Sequence, residues 1–113
     1  MESAASEESV FRALADGTRR AILEQLAQGE ATVTDLLAQA PMTQSAVSQH
    51  LRVLREAELV EERRAGRHRY YRLRPEPLLV VRDWLGHYET FWAERLETLG
   101  DVLRARYGAQ DQV

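Results

Sequence analysis

No acidic residue occurs between Pro41 and Arg55, and within that window the apolar residues return at helical spacing. The stretch Thr43-Gln-Ser-Ala-Val-Ser-Gln-His-Leu-Arg-Val-Leu-Arg-Glu-Ala57 therefore reads as an amphipathic helix with Thr43 as its N-cap. Val47, Leu51 and Leu54, with Ala46 and Ala57 beside them, form the stripe that a small domain buries. The opposite face carries Gln44, Ser45, Ser48 and Gln49 in its first turns, and Arg52 and Arg55 further on. A helix entering a major groove needs this order: short and amide side chains at the base edges, longer cations at the flanking phosphates. An ordinary helix with a solvated polar face is the alternative on these residues alone, and its neighbours weigh against it.

Upstream, Ser6 is placed to cap a first helix over about 7–15, with Val10, Phe11 and Leu14 on one face. Asp16 caps a second helix reaching about Gln28, which buries Ile22, Leu23 and Leu26 and ends at Gly29. Gly29 to Val33 is a turn with room for one residue pair of strand. Thr34 is expected to cap a short third helix, Asp35 to Gln39, with Leu36 and Leu37 inward, and Ala40-Pro41-Met42 breaks the chain before the polar-faced helix. A short helix, a tight turn and a longer helix make a helix-turn-helix, here over 35–57.

After Leu59 the period changes from helical to alternating. Val60-Glu-Glu-Arg-Arg64 and His68-Arg-Tyr-Tyr-Arg-Leu73 flank a turn at Gly66, so 60–73 reads as a β-hairpin with Val60, Tyr71 and Leu73 inward. Arg63, Arg64, Arg67 and Arg69 cluster around its tip. A hairpin behind a helix-turn-helix is a wing, and such a tip suits the phosphate backbone or the minor groove. A solubilising surface turn is the bland reading of the same residues.

Pro75 and Pro77 end the hairpin and open a last helix, about 76–107, which would be roughly 45 Å long. Trp84, Leu85, Tyr88, Phe91, Trp92, Leu96 and Leu99 lie in its wide apolar stripe. A second copy of the chain is the simplest cover, with Val10, Phe11 and Leu14 of the first helix alongside. An aromatic-lined ligand pocket between helices is the sharper alternative to a plain dimer core.

Composition narrows the function. With 113 residues one domain is expected, 7–107, between flexible ends at 1–6 and 108–113. No cysteine is present, which excludes disulfides, thiolate metal sites and cysteine redox sensing. The absence of a signal peptide and of about 18 consecutive apolar residues predicts a cytoplasmic chain with no membrane partner. The formal net charge is −3, but from Thr43 to Arg74 eight Arg face four Glu, a balance of +4, while the rest carries seven Arg and fourteen acids, a balance of −7. A basic region on an acidic chain orients the molecule towards a polyanion such as double-stranded DNA.

The segments Ala13-Leu-Ala-Asp-Gly-Thr-Arg-Arg-Ala-Ile-Leu23, Ser45-Ala-Val-Ser-Gln-His-Leu-Arg-Val-Leu-Arg55, Leu59-Val60 and Gly66-Arg-His-Arg-Tyr-Tyr-Arg-Leu73 carry a resemblance to the ArsR/SmtB family of winged-helix transcriptional repressors, over about residues 8–105. The resemblance implies a homodimeric repressor that binds an operator and is released by an effector. It places Ser48 as a DNA-facing residue and His50 as partly structural. Gly17 stands where the family usually has Pro, and Glu58 where it usually has Gly, which puts strain at a helix C-terminus. In the family's arsenic and cadmium/lead sensors the segment before the third helix reads Cys-Val-Cys-Asp-Leu; here it reads Thr32-Val-Thr-Asp-Leu36, and hydroxyls cannot replace soft thiolates. The family's other metal site lies on the last helix, where only Asp83 and His87 remain, one turn apart, with Glu94 and Glu97 beyond. A zinc- or nickel-responsive repressor using Asp83 and His87 stays an alternative. Relatives without metal ligands but with a Trp-Leu…Tyr…Phe-Trp helix like Asp83 to Trp92 resemble the subgroup found beside genes for START-like hydrophobic-ligand proteins, which suggests a small-molecule effector.

No phosphate loop or nucleophile motif is present, and the three histidines are far apart in sequence, so no enzyme and no cofactor is expected. A winged-helix protein-interaction module without DNA binding is the stronger rival. The expectation is thus a mainly α (α+β) fold, a winged helix-turn-helix with a two-stranded wing and a long C-terminal dimerisation helix. Thr43, Gln44, Ser45, Ser48, Gln49, Arg52, Arg55, Arg63, Arg64, Arg67 and Arg69 are its candidate DNA-binding residues.

Overall fold

The computed structural model describes Ser6–Tyr107, and the chain divides into two compact units between Val81 and Arg82. Apart from Ser6, the expected flexible ends lie outside the described residues. In the first unit four helices precede a hairpin: α1 (Glu7–Leu14), α2 (Gly17–Leu26), α3 (Val33–Leu37), α4 (Gln44–Glu56), β1 (Val60–Ala65) and β2 (His68–Leu73). A 3-10 turn (Glu76–Leu78) and α5 (Leu79–Gly86) follow, and α6 (Glu89–Tyr107) lies in the second unit.

Each of the first four helices begins where a side chain takes up a free N–H. Ser6 accepts from Ser9, Asp16 from Arg19 and Thr43 from Ala46, at 3.0–3.1 Å. The third helix corrects the expectation by two residues. Its cap is Thr32, not Thr34: Thr32 Oγ1 accepts from the Asp35 N–H at 3.1 Å while Asp35 Oδ2 accepts from the Thr32 N–H at 3.0 Å, a reciprocal capping box.

The core of the first unit is apolar throughout. Ile22, Leu23 and Leu26 of α2, Leu36 of α3, and Val47, Leu51 and Leu54 of α4 meet Leu59, Val60 and Tyr71 at the root of the hairpin. Val10 belongs to it as well, at 0% exposure. This overturns its expected place on a dimer face: α1 turns Val10 and Ala13 inward, while of the three expected interface residues of this helix Phe11 and Leu14 stay half-buried.

α4 ends in a Schellman motif. The Glu58 N–H donates to Arg55 O and the Leu59 N–H to Leu54 O, both at 2.9 Å, and the two leucines are fully buried. Glu58 stands at the left-handed position with φ 58°, the one described non-glycine residue with positive φ. The motif normally takes glycine here, and a side chain costs about 1–2 kcal/mol.

In the hairpin Val60 pairs with Leu73, Glu62 with Tyr71, Arg64 with Arg69 and Ala65 with His68. The loop is therefore only Gly66-Arg67, with Gly66 at φ 64°, as a tight turn of this kind requires. Ala31 adds a one-residue third strand: its N–H donates to Tyr71 O at 3.1 Å and it accepts from the Tyr71 N–H at 2.8 Å.

The expected single helix over 76–107 is also corrected. It stops at Gly86, and His87 and Tyr88 form a turn whose N–H groups reach back three residues, to Trp84 O and Leu85 O. Glycine is a poor helix residue, and here it coincides with the break. In the second unit Phe91, Trp92, Leu96, Leu99, Val102 and Leu103 of α6 remain 45–58% exposed. Among the described residues no helix is long and apolar enough to cross a membrane.

Candidate nucleic-acid interface

α4 is held from behind by its leucine stripe and by Arg19. The Arg19 guanidinium donates to Ala13 O (2.7 Å) and Arg12 O (3.0 Å) at the end of α1, and its Nη1 lies 3.4 Å from His50 Nδ1 on α4. His50 is thus a half-buried packing residue, whereas Gln44, Ser45, Ser48, Gln49, Arg52 and Arg55 are all exposed on the other face. Asp16, just before Arg19, has its carboxyl held below the ordinary value by the Arg19 backbone N–H that it accepts.

The exposed face of α4 opens onto a groove. Gln44 and Ser48 form one wall, Thr32 at the cap of α3 with Val33, Thr34 and Asp35 of its first turn another, and Arg67, His68, Arg69, Tyr70 and Tyr71 of the wing the third. Two segments far apart in sequence, the start of the long helix and the tip of the hairpin, thereby border one concave surface. Ala31 sets the angle between them, because its bridge to Tyr71 ties the wing to the turn that leads into α3.

The cations on this side are less free than the sequence suggests. Arg63 is gripped by Glu30 through two hydrogen bonds and lies over the Tyr70 ring, 4.9 Å from its centroid. Glu62 takes Arg55 Nη1 at 2.8 Å and Arg69 Nε at 3.2 Å. Arg52 pairs loosely with Glu56 (3.5 Å), Arg72 with Glu61, and Arg74 with Glu76 (3.8 Å). Among the described residues, Arg64 and Arg67 are the two of the eight that make no ion pair. Sequence reasoning passed over Glu30 and Glu62. Glu62 alternates with Arg64 along β1 and could have been suspected; Glu30 has no local signal, since its partner is 33 residues away.

Among the described residues of the single chain, neither the thiolate kind of metal site nor the last-helix kind is assembled. Thr32 spends its hydroxyl on the α3 cap. Asp83 pairs with Arg82 (3.3 Å), and His87 Nδ1 lies 3.1 Å from Trp84 O. Among the described residues no three His, Asp or Glu side chains converge to hold an ion.

Comparison with known proteins agrees with this geometry. The family described as bacterial regulatory proteins of the arsR family matches residues 16–62, from the cap of α2 to the first strand of the wing. The HTH-type transcriptional regulator Rv2034 of Mycobacterium tuberculosis is 45% identical over 96 residues, 85% of this chain and 87% of that protein. The transcriptional repressor SdpR of Bacillus subtilis is 34% identical over 77 residues, 68% of this chain and 86% of that protein. Among solved structures, an ArsR-like transcriptional regulator from Rhodococcus sp. RHA1 superposes with a TM-score of 0.69 at 30% identity, covering 87% of this chain and 90% of that one.

Proposed function

Since the chain belongs to the ArsR family and is a DNA-binding transcriptional regulator, we propose that it acts in the cytoplasm as a homodimeric repressor whose α4 reads an operator in the major groove while the wing holds the adjacent backbone. The observation that carries the reading is the single groove bordered by Gln44 and Ser48 on one side and by Arg67 and Arg69 on the other. Gln44, Ser45, Ser48 and Gln49 are the proposed base-edge residues, supported by their exposure in the first turns of α4. Thr43 serves the interface indirectly, by capping α4 with its hydroxyl. Arg52, Arg64 and Arg67 are proposed phosphate contacts, with Arg55 and Arg69 beside them. Arg63 is a weaker candidate because Glu30 occupies it.

The homodimer is supported by the exposed stripe of α6. Trp92, Leu96, Leu99 and Leu103 recur on one face of the helix, an apolar surface that a second copy would cover. Leu85, Tyr88 and Phe91 flank it, and Trp84, Phe11 and Leu14 are proposed to join the interface. A two-fold dimer presents two α4 helices to a near-palindromic site. The proposed effector is a small molecule of non-thiolate chemistry, because Thr32 and Thr34 offer hydroxyls where the soft-metal sensors have sulfur. The activity is binding rather than catalysis.

Titration of the pure protein against a duplex carrying its own upstream promoter region, with scrambled duplex as competitor, tests this. A preference of roughly a thousandfold or more, at two chains per site, is expected. Weak and equal binding to both duplexes would overturn it in favour of a protein-interaction module.

A further inference from the structure

Glu62 is the one described carboxylate that grips two arginines of the proposed interface, and it does so from different elements. Its Oε1 accepts from Arg55 Nη1 near the end of α4 at 2.8 Å, and its Oε2 is ion-paired with Arg69 Nε on the returning strand of the wing at 3.2 Å. The strand register explains the reach. Glu62 sits opposite Tyr71, so Arg69 is its diagonal neighbour on the same face of the hairpin, the face whose root enters the core through Val60 and Tyr71. Arg64 lies directly opposite Arg69, a like-charge pair that would splay the tip without a nearby anion.

The two arginine-carboxylate arrangements in the wing differ in what they leave available. Glu30 engages both Nε and Nη2 of Arg63, so that edge of the guanidinium is spent. Glu62 takes only one nitrogen from each partner, leaving the Nε and Nη2 of Arg55 and both Nη atoms of Arg69 with N–H groups to donate. Exposure follows the same order: the Glu62 side chain is 19% exposed, those of Arg55 and Arg69 44% and 56%. The carboxylate lies beneath and the two guanidinium groups stand above it, facing solvent.

We propose that Glu62 is a positioning residue that turns Arg55 and Arg69 into a clamp for a phosphodiester of the DNA backbone, joining α4 and the wing on one phosphate. The proposal rests on the DNA-binding reading and extends it to a residue that does not itself touch DNA. A guanidinium held on one edge by a carboxylate loses little rotamer entropy on meeting a phosphate, and its remaining N–H groups are already aimed. Without Glu62 the two arginines would be mobile cations on two elements.

The opposite role, competition with phosphate for the same arginines, makes a prediction of opposite sign. The test is Glu62→Gln, measured by titration of the full chain against a promoter duplex and a mixed-sequence duplex over a range of salt. Removing a negative charge beside DNA should, on charge alone, tighten binding. The clamp predicts that Glu62→Gln weakens binding to the promoter duplex by about tenfold, while Glu58→Gln, which removes the same charge without releasing an arginine, leaves it unchanged or slightly tighter. It also predicts that Arg55→Gln costs less in the Glu62→Gln background than in the wild type. Tighter binding by Glu62→Gln with a steeper salt dependence, or no change, would overturn the clamp. Glu62→Ala must give the same sign, with thermal melts and circular dichroism confirming a folded wing in both variants. If the wild-type chain binds no duplex, the DNA-binding reading fails; if it binds and only these signs reverse, the clamp alone fails.

Discussion

Arg63 of the wing and Glu30 of the turn before α3 form a two-pronged ion pair, Nε to Oε2 at 3.0 Å and Nη2 to Oε1 at 2.7 Å. The guanidinium hydrogen bond holds the Glu30 carboxyl below its ordinary value, and Glu30 in turn raises Arg63. A depressed carboxylate contributes stability that is present above its unfolded-state value and is lost as pH falls through the folded one. The wing should therefore stay anchored through the usual carboxylate range and loosen only below it. Carboxyl chemical shifts followed by NMR over an acid titration check this: Glu30 should titrate below the free side chain, and Arg63→Gln should return it to its ordinary value. A Glu30 that titrates normally in the wild type would mean that the pair does not form in solution.

Charge reversal at the wing tip should separate binding from folding. Arg64 and Arg67 make no ion pair among the described residues, so Arg64→Glu with Arg67→Glu breaks nothing in the free protein. Duplex affinity should fall by more than tenfold at moderate salt, with a slope in log salt shallower by about two for each wing. The melting temperature should stay within about 2 °C of wild type. Binding that survives the double reversal would remove the wing from the interface.

Gln49 and Arg52 lie on the same exposed face of α4 and should respond differently. Gln49→Ala is expected to relax base preference at one position, costing about 1–3 kcal/mol on the preferred sequence and little on others. Arg52→Ala should weaken all sequences alike and lower the salt slope by about one. Selection from a randomised duplex pool with each variant reads both effects. Uniform loss in both would count against direct readout by this helix.

Glu58 offers a stability test independent of DNA. At φ 58°, in the left-handed position of the α4 Schellman motif, it should be improved by glycine. Glu58→Gly is expected to stabilise the fold by about 1 kcal/mol, less than the full strain because glycine also gains freedom in the unfolded chain. Urea denaturation would measure it, and a destabilised variant would show that the Glu58 side chain makes a favourable contact larger than its strain.

The legible parts of this molecule were those set by local chemistry. Ser6, Asp16 and Thr43 announced helix starts because the cap is a bond to a residue three positions on. Thr32 was equally readable, since Asp35 three residues later completes the capping box, but the neighbouring Thr34 competed for the same role. The break after Gly86 was visible as a glycine inside an apolar stripe, and the stripe concealed it. Val10 could not be placed from its spacing, because a core and a dimer interface ask for the same residue types on the same face. Least readable was the electrostatic frame. Glu30 with Arg63, and Glu62 with Arg55 and Arg69, depend on how the hairpin docks, and the local charge count of the basic segment does not reveal that most of its arginines already hold an anion.

The two-residue loop of the wing limits how the hairpin can vary. With only Gly66 and Arg67 between paired strands, an insertion in one strand has no slack in which to be absorbed, and a slip of one position carries every side chain to the opposite face. Such a slip would turn Tyr71 out of the core and part Glu62 from Arg69. The length of the wing is in this sense quantised: it can grow or shrink only by matched pairs on both strands. Relatives that reach further along DNA would have to add residues in such pairs or abandon this turn for a longer one.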